Sequence, residues 1–260
     1  MAFTGYENKV IENKMTDLVN TTVNINALFT VDNTLATEAG LTKVINKYTY
    51  TGAVEKLAKG AKNTTKGSVA FVSNPYTVNR YQQTFTYNDM DIMKDPYLLD
   101  VATRGASELM ANEIRNEYFA ELAKISNTTT YTALSYDTIV DALAKIGKEV
   151  ESDMFIVMGL DGKAAIRKDA DYKASKMGEI LYTGQFGDIC GVPCVCSKLV
   201  PEGTVYITAK DQIKHFVKKD GSVEQDRDIE TKDNTVVYER HGVMAIVDET
   251  KSIKLTKAAG

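Results

Sequence analysis

The chain has 260 residues, with 31 Lys+Arg against 35 Asp+Glu for a net charge of −4, and 43 % of its residues are apolar and 25 % charged. At about 100–200 residues per domain this is one large domain or two small ones, and the charge balance excludes both disorder along the whole chain and a surface built throughout to neutralise nucleic-acid phosphates. The most apolar run, Met154 to Leu160, is far short of the roughly 20 residues of a spanning helix, and Glu7, Lys9 and Glu12 interrupt any early apolar stretch, so neither a membrane span nor a signal peptide is expected.

Residues 1–46 are polar and rich in Asn and Thr, with helical patches such as Tyr6 to Val19 alternating with runs like Asn20-Thr21-Thr22-Val23-Asn24. No apolar face persists, so the segment reads as an arm that takes its order from another surface. From residue 47 to 93 the character changes. Tyr48 to Gly52 reads as a strand entering a turn. A lysine-rich, Gly-punctuated stretch follows, with Glu55, Lys56, Lys59, Lys62 and Lys66. By itself such a run is a solvated loop or a basic tip that meets an acidic partner. Ser68 to Ser73 and Tyr76 to Tyr87 then read as two strands split by Asn74-Pro75. Period-2 alternation in the second run leaves neither face strongly apolar, so the pair expects company.

Asp95-Pro96 predicts a helix start, with Asp as N-cap and Pro at the first helical position. Leu99, Ala102, Ala106, Met110, Ile114, Tyr118, Leu122 and Ile125 recur at spacings of three and four, while Thr103, Arg104, Glu108, Asn112, Arg115, Asn116 and Lys124 fall on other faces. About 30 residues at 1.5 Å each would span roughly 45 Å. Residues 135–215 alternate helix and strand: a helix capped by Ser135, a buried strand at Met154 to Gly159, a short helix through Ala164 to Ile166, and strands at Val192–Cys196 and Thr204–Thr208, giving helices on a short mixed sheet. Residues 216–260 are mostly strand, with Asp226 to Glu230 as a charged connector and Ser252 to Leu255 as a short last strand.

Chemistry-bearing residues are sparse. Cys190, Cys194 and Cys196 lie too close together to staple a fold, and no His is near enough in sequence to complete a zinc set, so they read as reduced, structural cysteines of an intracellular fold. Gly184-Gln185-Phe186-Gly187 lacks both the strand–GxGxxG–helix context of a dinucleotide site and the Gly-Lys-Ser/Thr of a phosphate loop. His215 and His241, the two histidines, read as surface or polar-interface residues, and no nucleophile elbow is present.

The order of segments resembles the major capsid proteins of tailed bacteriophages, the Hong Kong 97-type fold, over essentially the whole chain. The matching stretches are Gly187-Asp188-Ile189-Cys190-Gly191-Val192-Pro193-Cys194-Val195, which is similar to the family's Gly-x-Ile/Leu-x-Gly-x-Pro-Val pattern, Gly203 to Ile207, Val223 to Asp228, and Asn234 to Val247. The resemblance implies an α+β subunit in four parts: an N-terminal arm (1–46), an extended two-stranded loop lying over a neighbour (47–93), a peripheral domain with a long spine helix (94–133 and 216–260), and an axial α/β domain (134–215). It implies no catalysis, no cofactor and no metal. Its contact residues would be Glu55, Lys56, Lys59, Lys62 and Lys66 at the loop tip, with Asp220, Glu224, Asp226, Asp228 and Glu230 as candidate acidic partners. Gly178, Gly184 and Gly187 would lie in the axial loop at the capsomer centre.

The partners implied are further copies of the chain in hexamers and pentamers, a portal, a separate scaffolding or decoration protein, and packaged double-stranded DNA held without sequence preference. A mildly acidic wall suits DNA that must leave, and the lack of a long charged helical segment before residue 20 predicts no fused scaffold. Assembly would take place in the host cytoplasm, with the product in the virion. Two alternatives share parts of this pattern: an encapsulin-like nanocompartment shell with the same fold, and a small enzyme using the α/β region.

Overall fold

The computed structural model describes residues 5–22, 28–147, 153–175 and 187–258. In chain order these form helix α1 (Gly5–Thr22), strands β1 (Thr30–Asp32), β2 (Thr42–Thr51), β3 (Ser68–Thr77) and β4 (Asn79–Asn88), and helices α2 (Asp89–Lys94) and α3 (Leu98–Leu122). Strand β5 (Thr128–Tyr131), helix α4 (Tyr136–Ile146), β6 (Met154–Met158), α5 (Leu160–Lys168) and α6 (Ala170–Ser175) follow. The chain closes with β7 (Asp188–Ile189), β8 (Val192–Cys196), β9 (Thr204–Ala209), β10 (Ile213–Arg227), β11 (Asp233–Ile246) and β12 (Ile253–Lys257). The strands make a four-stranded sheet, β1-β10-β11-β4, a six-stranded mixed sheet, β5-β12-β9-β6-β8-β7, and a two-stranded ribbon, β2-β3.

Helix α3 buries the stripe that its sequence spacing marks: Ala106, Met110, Ile114, Tyr118 and Leu122, with Ile125 just beyond. It starts two residues later than expected and runs 25 residues, about 37 Å. The reason is local. The Asp95 carboxylate accepts the Tyr97 N–H at 2.9 Å, and the Asp95 carbonyl accepts the Leu98 N–H at 3.2 Å, so Asp95-Pro96 closes a turn ahead of the helix. Thr103 is buried rather than on an outer face; its hydroxyl donates to the Asp100 carbonyl at 2.9 Å, which satisfies it within the helix.

Helix α1 finds its surface within its own chain. Met15 and Val19 enter the main core, Lys14 pairs with Asp100 of α3, and the Thr16 and Tyr238 hydroxyls lie 3.4 Å apart. The first 46 residues do not form one unit, because β2 begins at Thr42 and takes residues 42–46 into the ribbon.

The expected break at Asn74-Pro75 is absent. Strand β3 runs through it and pairs antiparallel with β2, while β4 belongs to the four-stranded sheet, where it pairs with β11 from Asn88↔Asp233 to Asn79↔Gly242. Val78 donates its N–H to the Leu41 carbonyl at 2.8 Å, which sets the phase: even-numbered positions of β3 bond to β2, and the odd-numbered ones, Pro75 among them, face the open side. A proline is tolerated there because no ladder hydrogen bond needs its missing N–H.

In the six-stranded sheet every residue of β6, Met154 to Met158, is buried. Ser135 caps α4 as expected, its hydroxyl accepting the Thr138 N–H at 3.2 Å, and Gly147 ends it at φ 68. The last strand does not stay with β10 and β11: β12 inserts between β5 and β9. A fully buried polar chain lies at this crossing, where Thr208 bonds to Gln212 and the Gln212 amide donates to the Ser252 hydroxyl at 2.6 Å.

Candidate assembly interface

The ribbon register places Val44, Tyr48 and Tyr50 of β2 on one face with Val69, Phe71 and Pro75 of β3. That face is open: Val44 is 53 % exposed, Tyr48 68 %, Tyr50 71 %, Val69 64 % and Phe71 64 %. Tyr48 and Phe71 are directly opposite, their ring centroids 6.1 Å apart. The exposed side-chain area is on the order of 500 Å², as large as the functional patches that monomers display. The expectation that the run Tyr76 to Tyr87 has no strongly apolar face is corrected by Tyr81, Phe85 and Tyr87, which pack into the main core, and the expected pair of β3 with that run is replaced by β3 with β2, which brings Tyr48 and Phe71 together.

The opposite face fastens the ribbon to its own chain. Lys43 bonds to Glu38 at 2.8 Å, Lys47 pairs with Glu249, and Ile45 and Tyr76 pack against the small core of Leu35, Phe216, Val243 and Ala245. The ribbon is therefore held at one face and bare on the other.

At the tip, Glu55 is the single carboxylate between Gly52 and Gly67. It bonds to the hydroxyl of Thr65, accepts the Thr64 N–H at 3.0 Å and the Thr64 hydroxyl at 2.7 Å, and these bonds hold its carboxyl down at about 2. With Glu55 occupied by threonines, Lys56, Lys59, Lys62 and Lys66 stand exposed as a cationic end. Among the proposed acidic partners, Asp220 is bound to Arg240 at 2.6 Å, and Asp228 holds the Glu230 N–H at 2.8 Å in a turn, while Glu224, Asp226 and Glu230 are exposed.

Gly178 and Gly184 lie outside the described residues. Gly187 is exposed just before β7, and its carbonyl accepts the Cys194 N–H at 3.0 Å. Cys190 at φ 53 and Gly191 at φ 78 make the turn between β7 and β8. The three cysteines are half-buried and pack on the core of the six-stranded sheet, and burial pushes the Cys194 thiol up to about 12. They behave as small apolar side chains with protonated thiols. His215 is not a surface residue. It is 2 % exposed, its ring stands edge-on to Phe29 at 5.9 Å between centroids, and burial, then the Arg240 charge, depresses it to about 3. Its neighbours explain the site: a Cβ on Gly242 would sit 2.6 Å from the His215 Nε2, so only glycine fits beside it. Among the described residues no three His, Cys, Asp or Glu side chains gather in a metal-binding cluster.

A long helix buried along one face, a strand-rich sheet beside it, a separate mixed sheet and an unshielded ribbon make up an α+β subunit. A family described as phage capsid protein matches residues 71–255, and the chain belongs to that family. It is 24 % identical over 237 residues to the major capsid protein of Staphylococcus phage phiMR11, covering 88 % of this chain and 85 % of that one. The capsid of the Cyanophage P-SCSP1u aligns with a TM-score of 0.73 at 10 % identity, over 90 % of this chain and 87 % of that chain. The SrpI encapsulin of Synechococcus elongatus aligns with a TM-score of 0.68 at 14 % identity, over 90 % of this chain and 86 % of that chain. At such identities the two structural likenesses establish the fold.

Proposed function

We propose that this chain is the major capsid protein of a tailed bacteriophage, assembling through hexamers and pentamers into the icosahedral head that holds double-stranded DNA. The observation that carries this reading is the bare apolar face of the ribbon at Val44, Tyr48, Tyr50, Val69 and Phe71, on a chain of the phage capsid family. A face of that kind in a repeating subunit calls for a neighbour to cover it. In this reading the residues before Thr42 act as the arm and the ribbon lies over an adjacent subunit, its lysine tip reaching exposed carboxylates there. Helix α3 and the four-stranded sheet form the peripheral domain. The six-stranded sheet, with β12 added, forms the axial domain, whose glycine loop at Gly178, Gly184 and Gly187 meets its copies at the capsomer centre.

The partners are further copies of the chain, a portal, a separate scaffolding or decoration protein, and DNA bound without sequence preference, with assembly in the host cytoplasm. The subunit performs no catalysis. Sedimentation and negative-stain micrographs of the expressed chain test this: closed shells or rings of capsomers are expected, and a monodisperse monomer under all salt and crowding conditions, with phage partners supplied, overturns it. The encapsulin likeness favours a second reading, a nanocompartment, which would enclose a cargo protein instead of DNA. The family match and the phage relative support the head.

A further inference from the structure

The four-stranded sheet ends on β4, and the hydrogen bonding fixes which backbone groups look outward. Asp228 donates its N–H to the Asp233 carbonyl at 2.9 Å, so odd-numbered residues in this half of β11 bond to β10. Even-numbered residues of β11 therefore bond to β4, where the register sets Asn234 against Tyr87, Val236 against Phe85, Tyr238 against Gln83 and Arg240 against Tyr81. The Asp89 N–H on the Lys232 carbonyl, at 3.2 Å, continues the same phase. The N–H and C=O groups of Arg80, Gln82, Thr84 and Thr86 thus point away from the sheet. All four residues are exposed. Among the described residues none of these outward groups makes a backbone hydrogen bond, and the Thr84 carbonyl takes only the Gln83 side-chain amide at 3.4 Å.

Open edges of this length are normally kept short or guarded by proline, lysine or a bulge. The other edges of the two larger sheets are short: β1 has 3 residues, β5 has 4 and β7 has 2. The ribbon carries Pro75 on the open side of β3. Strand β4 has none of these devices. Its register with β11 is unbroken, Gln82, Thr84 and Thr86 are uncharged, and Arg80 is tied to Glu239 at 2.8 Å. Beneath it Tyr81 and Tyr87 are buried in the main core, with Phe85 packed against it, so the edge is held rigid.

We infer that the free edge of β4 receives an extended segment of a second copy of this chain, which adds a strand through main-chain hydrogen bonds to Arg80, Gln82, Thr84 and Thr86. This rests on the shell-forming reading above. The occupant is a second copy because the chain belongs to a capsid family, in which one chain recurs beside itself, and because the Gln/Thr edge offers neither a charge nor an apolar pocket to select a different peptide. Recognition here is by backbone.

Amide hydrogen exchange, resolved by residue, compares unassembled subunits with shells. The amides of Arg80, Gln82, Thr84 and Thr86 should exchange freely in the subunit and slow at least tenfold in the shell, while those of Gln83 and Phe85 stay protected in both. Equal rates at the four even positions in intact shells overturn this inference and leave the shell reading standing; a wild-type chain that never assembles overturns both. Thr84→Pro removes an outward N–H without touching the β11 ladder, so the subunit should keep its thermal midpoint and lose shell formation. Gln82→Lys with Thr86→Lys guards the edge without any backbone change, and should raise the concentration needed for assembly at least tenfold. Normal assembly by this double variant refutes the proposal, whether or not Thr84→Pro folds.

Discussion

The bare face of the ribbon gives the sharpest test of the assembly account. Phe71 is 64 % exposed, so if a buried aromatic covers about 200 Å², about 130 Å² awaits burial, worth about 3 kcal/mol at about 25 cal/mol per Å². Phe71→Ser should therefore raise the critical concentration for assembly by as much as roughly 100-fold, since each 1.4 kcal/mol is about a factor of ten. The isolated subunit loses much less: Phe71 contacts Tyr48 across the ribbon, and such a cross-strand pair contributes about 0.2–1 kcal/mol. Light scattering against concentration measures the first quantity, and thermal unfolding by circular dichroism on the same preparation measures the second. Shells appearing at the wild-type critical concentration would refute the reasoning. So would a subunit that unfolds outright, because the face would then be serving its own chain.

Met110 is 3 % exposed in the α3 stripe, and Met110→Asp should destabilise the subunit by more than about 4 kcal/mol; a variant that melts cooperatively at the wild-type temperature places the wrong face inward. His215 has a folded-state value near 3 against 6.5 for a free imidazole, so below pH 6.5 the unfolded chain binds a proton that the folded chain refuses. Its contribution to stability is complete above pH 6.5 and is lost progressively as pH falls toward 3, and its ring resonances should not titrate between pH 8 and 5; a midpoint inside that window contradicts the burial. Reversing Lys56, Lys59, Lys62 and Lys66 to Glu should leave the subunit melt unchanged and weaken assembly, each exposed pair being worth about 0–1 kcal/mol. Whatever assembly remains should respond less to added salt, and an unaltered salt response removes the electrostatic role of the tip.

Local patterns in the sequence carried far, and pairing choices did not. The α3 stripe from Ala106 to Leu122 is legible because its spacing matches one face of a helix, and the all-apolar Met154–Met158 marks a central strand for the same kind of reason. The start of α3 slipped because Asp95-Pro96 supports a capped helix and a preceding turn equally well. Pro75 suggested a strand break, and only the phase set by Val78 on Leu41 shows that the proline occupies an open edge. Reading β3 against β4 then hid the aromatic face, since Tyr48 and Phe71 meet only when β2 is the partner. His215 looked superficial between Lys214 and Phe216. Its burial comes from Phe29 covering its face of the sheet and from Gly242 lying close beside the ring, contacts distant in sequence. The acidic partners named for the lysine tip, and the role of Gly187, concern contacts between copies that a single chain does not contain.

The central claim, that one chain builds a shell by covering its neighbour's exposed ribbon, is tested most directly by a cryo-electron microscopic reconstruction of the particles this protein forms. The account predicts a closed icosahedral shell in which Val44, Tyr48, Tyr50, Val69 and Phe71 are buried against an adjacent subunit. Particles in which that face remains open to solvent, or a protein that stays monomeric with its phage partners present, would contradict it.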